Sequence, residues 1–526
     1  MITEGWGPPG SRRSRDAVAL CSGRVAGVGN TTGRRWLFAD QLGPHFLDDD
    51  EQPVLLIESR RVFERRRFHR RKAHLVLSAL RHRAAELGDR AQVRRVDTYQ
   101  EGLPRSLKNL SVCAPTTFAA RRLVGKLPIE VLPSRGFAIG EEQFGQWAER
   151  RQGRKLVMED FYRDVRKHHR LLLEGDGEPV GGRWNYDQDN REPPPRTATL
   201  GEATGVPEPW WPQEDAIDEE VRADLDRWAA EGVEFIGDDG PRRFAVTRDE
   251  ALQALESFVT TRLEDFGPYE DAILQDDRWM AHSLLSVPLN LGLLHPVEVA
   301  RRAEQAWKDG DAGLASTEGF VRQVVGWRDY VWHVYWHFGD DYRRRNQLRA
   351  RTTLPRWFAD LDPDGEVEAK CLSSALASVR QDGWAHHIPR LMVLGNWALQ
   401  QGYDPVAVTD WFHRNFVDGY DWVMVPNVVG MALHADGGAM MTKPYAAGGA
   451  YIHRMSNHCG GCRYDPKKRV GENACPFTAG YWAFLERNRD EFANNHRMSR
   501  SYAGMGRLKD LEALLEQERH RGAQAP

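Results

Sequence analysis

The chain has 526 residues, 41% hydrophobic and 28% charged, with a formal net charge of −4; that is the profile of a folded protein of two or three domains. It holds no run of about 18 apolar residues, which excludes a membrane-spanning helix, and its net charge argues against a uniformly basic nucleic-acid coat. Six cysteines in so long a chain exclude a disulfide scaffold and point to a reducing cytoplasm.

Residues 1–34 are rich in Gly, Ser and Arg without periodicity or an apolar signal-peptide core, and read as a disordered extension. Trp36–Ala39 reads as a short buried strand ending at Asp40-Gln41-Leu42-Gly43, and Val54–Ile57 as a second ending at Glu58. Phe68, Val76, Leu80, Ala84 and Leu87 keep helical spacing, and Val93–Val96 and Ile129–Leu132 supply further strands. Strands alternating with helices predict an α/β domain over 35–150, built on a parallel sheet with crossover helices. Ligands of such sheets sit beyond the strands' carboxyl ends, where Asp40 and Glu58 fall. No G-x-G-x-x-G or Walker A sequence accompanies them, so an ordinary dinucleotide or nucleoside triphosphate site is not supported. Residues 58–83 carry ten Arg or Lys against two Glu, a basic docking face or a merely solvated one.

Pro, Gly and acidic residues dominate from about 188 to 240, and the stretch 151–246 reads as a connector. Residues 247–506 read as a helical domain, with Leu252, Leu255, Phe258 and Val259 in one apolar stripe and Phe320 to Phe338 in another. His282–Gly292 (HSLLSVPLNLG) interleaves hydroxyls with aliphatics at an expected helix start, where free N–H groups suit a diphosphate; a capped helix without ligand has the same pattern. Trp384–Met392 sets His386 and His387 just before a helix, four and three residues from Arg390. Such a pair suits proton transfer, although a helix N-terminus disfavours imidazolium and asks for a compensating anion. Asp404-Pro405 caps a helix running to Phe416, and a final helix, 507–518, trails into an exposed tail within 507–526. The eighteen tryptophans suit core packing, ring stacking or electron hopping.

Cys459, Cys462 and Cys475 form a C-x2-C-x12-C cluster, with Cys371 a further 88 residues upstream of Cys459. Thiolates are soft ligands, and four of them close a zinc site or hold an iron–sulfur cluster. Pro476 directly follows Cys475, a Cys-Pro step common after the closing ligand of bacterial iron–sulfur sites. Buried free thiols are the plain alternative.

Together these segments resemble the iron–sulfur bacterial branch of the cryptochrome/photolyase family, the prokaryotic (6-4) photolyases. The likeness runs from about Trp36 to about Arg500 and rests on Phe38–Gly43 (FADQLG), Met158–Arg163 (MEDFYR), Gly181–Asp187 (GGRWNYD), His282–Ser286 (HSLLS) and Glu318–Gln323 (EGFVRQ). It continues through Gly326–Tyr330 (GWRDY), the His386-His387 segment, Val425–Val428 (VPNV), Ala435–Gly438 (ADGG) and Lys443–Tyr445 (KPY).

The resemblance implies a Rossmann-like antenna domain followed by an all-α FAD domain with a [4Fe–4S] cluster on Cys371, Cys459, Cys462 and Cys475. It implies light-driven repair of UV-induced (6-4) lesions in damaged DNA by a cytoplasmic monomer without an obligate protein partner. His387, with His386 beside it, matches the catalytic histidine. His282, Ser283, Leu284, Leu285 and Ser286 match the flavin diphosphate cradle; Tyr269, Gln323, Arg328, Asp418 and Asn427 match flavin contacts, Asn427 near N5. Asp40 and Glu58 match the antenna site, expected to take 6,7-dimethyl-8-ribityllumazine. Trp411 and Tyr420 match relay positions for flavin photoreduction. Two departures stand out: Trp357 is displaced from the family's tryptophan before the first cluster cysteine, and Phe412 stands where a tyrosine is usual. The rival readings are a blue-light receptor with the same chromophores and an iron–sulfur nucleic-acid module similar to a primase large subunit. Only the first accounts for the flavin motifs.

Overall fold

The computed structural model describes residues 33–526. The expected disordered extension therefore lies outside the described residues, apart from Gly33 and Arg34, which lead into the first strand. Five strands, β1 (Arg34–Leu37), β2 (Val54–Ser59), β3 (Ala91–Val96), β4 (Leu110–Cys113) and β5 (Glu130–Leu132), form one sheet in the order β3-β2-β1-β4-β5. Every pairing is parallel, with Trp36 opposite Leu55 on one side and Val112 on the other. Side chains alternate across the sheet as the pleat demands. Trp36, Leu55, Ile57 and Val112 pack with Val124 of helix Phe118–Val124. Leu37, Val54, Leu56 and Cys113 share the main core with Leu75, Ala79 and Leu80 of helix Arg70–Leu87. β4 escaped sequence reasoning because Ser111 interrupts a run of only four residues; pairing with β1 makes it a strand.

The stretch 151–246 does more than connect. It contains helices Met158–His169, Leu200–Thr204 and Ala216–Ala230, and the last packs Val221, Leu225 and Trp228 against Phe63, Phe68, Ala73 and Leu77 of the sheet domain. Buried ion pairs fasten it: Asp224 to Arg81, and Asp218 to Arg242, whose guanidinium also bridges to Glu250. The acidic composition that suggested an open linker is thus consumed by arginines distant in sequence. The end of the chain differs from expectation in the same way. Helix Leu511–Arg521 buries Leu514, the Trp357 indole N–H donates to the Ala523 carbonyl at 3.0 Å, and the Pro526 carbonyl accepts the N–H groups of Glu368 and Ala369. The tail residues Gly522, Ala523 and Gln524 are exposed as expected, but the backbone of Ala523 and buried Pro526 docks beside the helix that carries Cys371.

Beyond Thr247 the chain is helical, and no described helix is long and apolar enough to cross a membrane. The sheet meets this half through backbone. Leu42 N–H donates to Leu291 O at 3.0 Å, and Arg328 reaches the Gly136 carbonyl at the same distance. A Cβ on Gly43 would lie 2.1 Å from the Gly292 carbonyl, while Gly292 has a φ of +69°. The FADQLG turn therefore needs glycine for close approach. Gly43→Ala should separate the two halves and cost about 1–3 kcal/mol, read as a fall in thermal midpoint; an unchanged midpoint would refute the close contact.

Candidate active site and cysteine-lined cavity

Three imidazoles meet at the centre of the helical half. His386 and His387 precede the wide π-type turn Pro389–Gly395, and His282 arrives from a loop whose residues Met280 and Leu284 both have positive φ. Such conformations are costly for bulky side chains and cluster at functional sites. His282 and His386 stack at a ring-centroid distance of 4.3 Å, with His387 5.5 Å from His282. Trp384 closes one side, stacked on Trp279 at 5.0 Å, with Trp211 next in line.

The three rings are held in different charge states. Burial, reinforced by neighbouring His387 and Arg390, drives His282 and His386 well below the usual imidazole range. Burial opposes protonation of His387 as well, but its contact with Asp271 (3.4 Å) and the charges of Asp271 and Glu270 carry its pKa upward. These carboxylates are the compensating anion that the helix-start position requires. Glu270 is itself pushed up to about 7 by burial and accepts a hydrogen bond from Gln323. Both nitrogens of His386 and Nε2 of His282 lack partners among the described residues, whereas 44% of the His387 side chain stays open.

The motifs converge around this open edge. Tyr445 of KPY responds electrostatically to Asp187 of GGRWNYD, to Arg191 and to Asp271; Tyr451 responds to Asp271, Arg454 and Arg191. Exposed Arg191 and Arg454 thus lie within electrostatic range of the two tyrosines, which also feel Asp271, the partner of His387. Arg191, Tyr451 and Arg454 were missed in the sequence, where a scattered set of surface residues has no signal.

Below the histidines, Arg390 holds Asp418 in a two-pronged ion pair (2.8 and 3.0 Å) and stacks over Phe416. Ser286 donates to the same carboxylate at 2.8 Å, and Asn290 to the Asp418 carbonyl at 3.1 Å. The helix opened by Ser286 has only five residues, so its dipole adds little to anion binding. The cradle is instead completed by arginine. Ser283 and Leu284 line a space of about 370 Å³ with Arg243, Arg262 and Ser257. The Nε atoms of Arg243 and Arg262 lack partners among the described residues. Arg243, with Arg262 held by the Pro207 and Met280 carbonyls, and the serine hydroxyls make a donor set that suits the diphosphate of a flavin dinucleotide, the group that the resemblance implies.

Other expected contacts are engaged within the protein. Arg328 donates to the carbonyls of Gly136 and Leu289 and lies over Phe137 and Trp422, bracing sheet against helices. The Asn427 amide turns back onto the Val423 carbonyl at 2.9 Å. Tyr269 closes helix Leu263–Tyr269 next to Glu270. Leu285 is buried in the core.

At the sheet, Glu58 and Asp40 have separate fates. Glu58 is paired with buried Arg81 at 2.9 Å, with Arg95 at 3.7 Å; this network accounts for its burial without a ligand. Asp40 accepts from the Thr116 hydroxyl, and burial raises its pKa. Its charge is felt by Tyr99 and by Tyr420, whose phenol is pushed strongly upward by burial, Asp40 and Asp418. Tyr420 thus stands between the sheet's carboxyl edge and the Asp418–Arg390 pair, its hydroxyl without a partner among the described residues. Trp411 is fully buried and contacts Phe358 at 4.7 Å, which contacts Trp357 at 5.7 Å. Displaced Trp357 thereby rejoins an aromatic series that continues to Trp397 at 6.0 Å.

Cys371, Cys459, Cys462 and Cys475 line one space of about 310 Å³ with Phe477, Ile452 and His458. Cys371 lies in the first turn of helix Lys370–Asp382, and Cys475 caps helix Pro476–Arg487, positions that favour thiolate. Burial and mutual repulsion push Cys371 well up and Cys459 to about 12, so deprotonation there requires a metal. A Cβ on Gly449 would come within 2.7 Å of the Cys475 sulfur, keeping that wall free of side chain. Among the described residues, groups of three or more ligands mutually within 4.8 Å are the three histidines and His82/Asp215/Asp218. The cysteines are spread around a space larger than a single ion needs, and the donor set fits an iron–sulfur cluster.

Residues 35–238 match the family described as deoxyribodipyrimidine photo-lyase-related protein. The chain is 37% identical over 500 residues, 90% of its length and 95% of the relative's, to a protein named (6-4) photolyase from Agrobacterium fabrum. Its fold is similar to a class III photolyase from Agrobacterium tumefaciens (TM-score 0.51, 13% identity, covering 90% of this chain and 100% of that one). It is also similar to a cryptochrome from Synechocystis sp. PCC6803 (TM-score 0.50, 14% identity, 76% and 82% coverage). A parallel sheet joined to a helical half, the histidine cluster and identity over nearly the whole length agree: the chain belongs to the photolyase/cryptochrome family, with the (6-4) photolyases and photolyase-related proteins.

Proposed function

We propose that this protein is a light-dependent DNA repair enzyme acting on (6-4) pyrimidine–pyrimidone lesions, with FAD in the helical half. The observation that carries the reading is the half-open His387 paired with Asp271 at 3.4 Å, its pKa raised by that carboxylate and Glu270, beside two buried imidazoles. Bound and reduced, FAD supplies the photo-excited electron. Ser283, Ser286, Arg243 and Arg262 would hold its diphosphate, while the Arg390–Asp418 pair orients the ring system. His387 holds a proton at the edge of the recess, where an extruded base can receive it. Extrusion costs a few kcal/mol, least for a distorted lesion, and half-buried Trp279, backed by buried Trp384, offers a ring for a flipped base to stack on. Trp411 and Trp357, joined through Phe358, would supply an indole route for electrons toward a bound flavin, which gives displaced Trp357 a place in the relay. An antenna such as 6,7-dimethyl-8-ribityllumazine fits beyond the sheet's carboxyl edge with Asp40, Tyr99 and Thr116. The four cysteines hold a [4Fe–4S] cluster, in keeping with a reducing cytoplasm; the active form is a monomer.

The test is illumination of the reduced protein with an oligonucleotide carrying one defined (6-4) lesion, followed by assay of restored bases. Restoration supports the reading. Repair of a cyclobutane dimer alone would overturn the substrate, and flavin photoreduction without any repair would favour a photoreceptor. Binding should also depend on salt, because Arg191, Arg454 and their neighbours displace counterions from phosphate. Affinity for undamaged duplex should fall by at least tenfold between about 50 and 200 mM salt; a flat response in a binding titration would exclude a basic docking rim.

A further inference from the structure

Beside the four sulfurs the cavity contains one polar ring that the cluster reading leaves without a role. His458 is 3% exposed, lines the same space as all four cysteines, and has no hydrogen-bond partner for either ring nitrogen among the described residues. Buried polar groups in folded proteins are almost always paired, and an orphan calls for a missing partner. The ring is not free to find one elsewhere. It opens the turn His458–Gly461 that presents Cys459, and the preceding backbone is pinned: Asn457 Oδ1 accepts the Gln275 N–H at 2.8 Å, and Ile273 N–H donates to Met455 O at 2.8 Å. Other donors on this wall are backbone and hydroxyl groups at helix starts, Leu372 toward Cys371 and Phe477 and Thr478 toward Cys475. Lys370 Nζ lies against Gly461 of the same turn, and Tyr464 also lines the cavity; His458 is the buried ring there whose nitrogens lack partners among the described residues.

We propose that His458 donates an N–H···S hydrogen bond to a sulfur of the iron–sulfur group held by the four cysteines, and thereby tunes its reduction potential. The proposal rests on the cluster reading above. An N–H dipole directed at sulfur stabilises the added electron of the reduced state more than the oxidised state, so the bond raises the potential. His458 acts through the cluster and is a positioning and tuning residue, without contact to DNA.

The experiment compares the full chain, reconstituted anaerobically with iron and sulfide, with His458→Phe and His458→Gln. Iron and sulfide content are measured first, then the cluster midpoint by a redox titration followed by electron paramagnetic resonance. The expected result is a full cluster in His458→Gln with a near-wild-type midpoint, and a shift to more negative potential in His458→Phe. If the phenylalanine variant loses its iron while the glutamine variant keeps it at the wild-type midpoint, the donor role stands. A fully loaded His458→Phe with an unshifted midpoint overturns the proposal alone. Equal shifts or equal iron loss in both variants also overturn it, since a retained N–H would then not matter. A wild-type chain that takes up no iron and sulfide removes the cluster reading itself, and this assignment with it.

Discussion

His387→Ala is expected to lower the rate of lesion repair by about 10²–10⁴, the usual worth of a positioned proton donor, while flavin and damaged-DNA binding persist. Binding should persist because the ring is 44% open, with Asp271 as its close polar partner. The loss falls on turnover because His282 and His386, the neighbouring rings, are driven to the neutral state by burial and cannot replace an imidazolium. The pH profile carries the same signature. With the His387 pKa raised above the ordinary 6.5 by Asp271 and Glu270, repair should decline as pH rises through that elevated value. Asp271→Asn removes the principal raising partner and should move that decline to lower pH. Turnover on a single-lesion oligonucleotide and a mobility-shift titration measure the two halves of the prediction. Undiminished repair by His387→Ala would remove the histidine from the mechanism.

Any single Cys→Ser change at 371, 459, 462 or 475 should leave little soluble, folded protein. The four sulfurs converge from three separate segments: the first turn of Lys370–Asp382, the turn His458–Gly461 and the cap of Pro476–Arg487. Structural metal centres contribute binding energy directly to folding. Serine oxygen is a hard, poorly matched ligand for iron, so three thiolates would be left around a weakened centre. The damage should spread, because Pro526 and Ala523 dock beside the Cys371 segment and helix Leu511–Arg521 packs on Pro476–Arg487. Soluble yield, iron content and thermal melting measure this. A serine variant with normal yield and midpoint would show that the centre is dispensable for folding.

The parallel sheet was legible because short apolar runs separated by a helical period admit few other arrangements, and alternation along β1 and β2 carries them to both faces. β4 was not, since four residues around Ser111 become a strand only by pairing with β1. The 151–246 stretch misled for a related reason. Its acidic residues signal solvent until Arg81 and Arg242 are brought to them. Glu58 lies at a strand's carboxyl end, as the topology rule requires, yet Arg81 from the following helix occupies it. The strand pattern could place the carboxylate but not its partner.

What the amino-acid order determined by itself was local: the alternation of the strands, the C-x2-C-x12-C triplet, the adjacent His386 and His387, and the serines flanking Leu284 and Leu285. Each is legible because a few neighbouring residues share one backbone geometry. Only the tertiary structure decided that Asp271 meets His387, that Arg243 and Arg262 line one space with Ser283, and that His458 lines the cavity of the four cysteines. Contacts between residues tens to hundreds of positions apart depend on how whole helices pack, and the carboxylates brought in this way set the pKa of His387 apart from its buried neighbours.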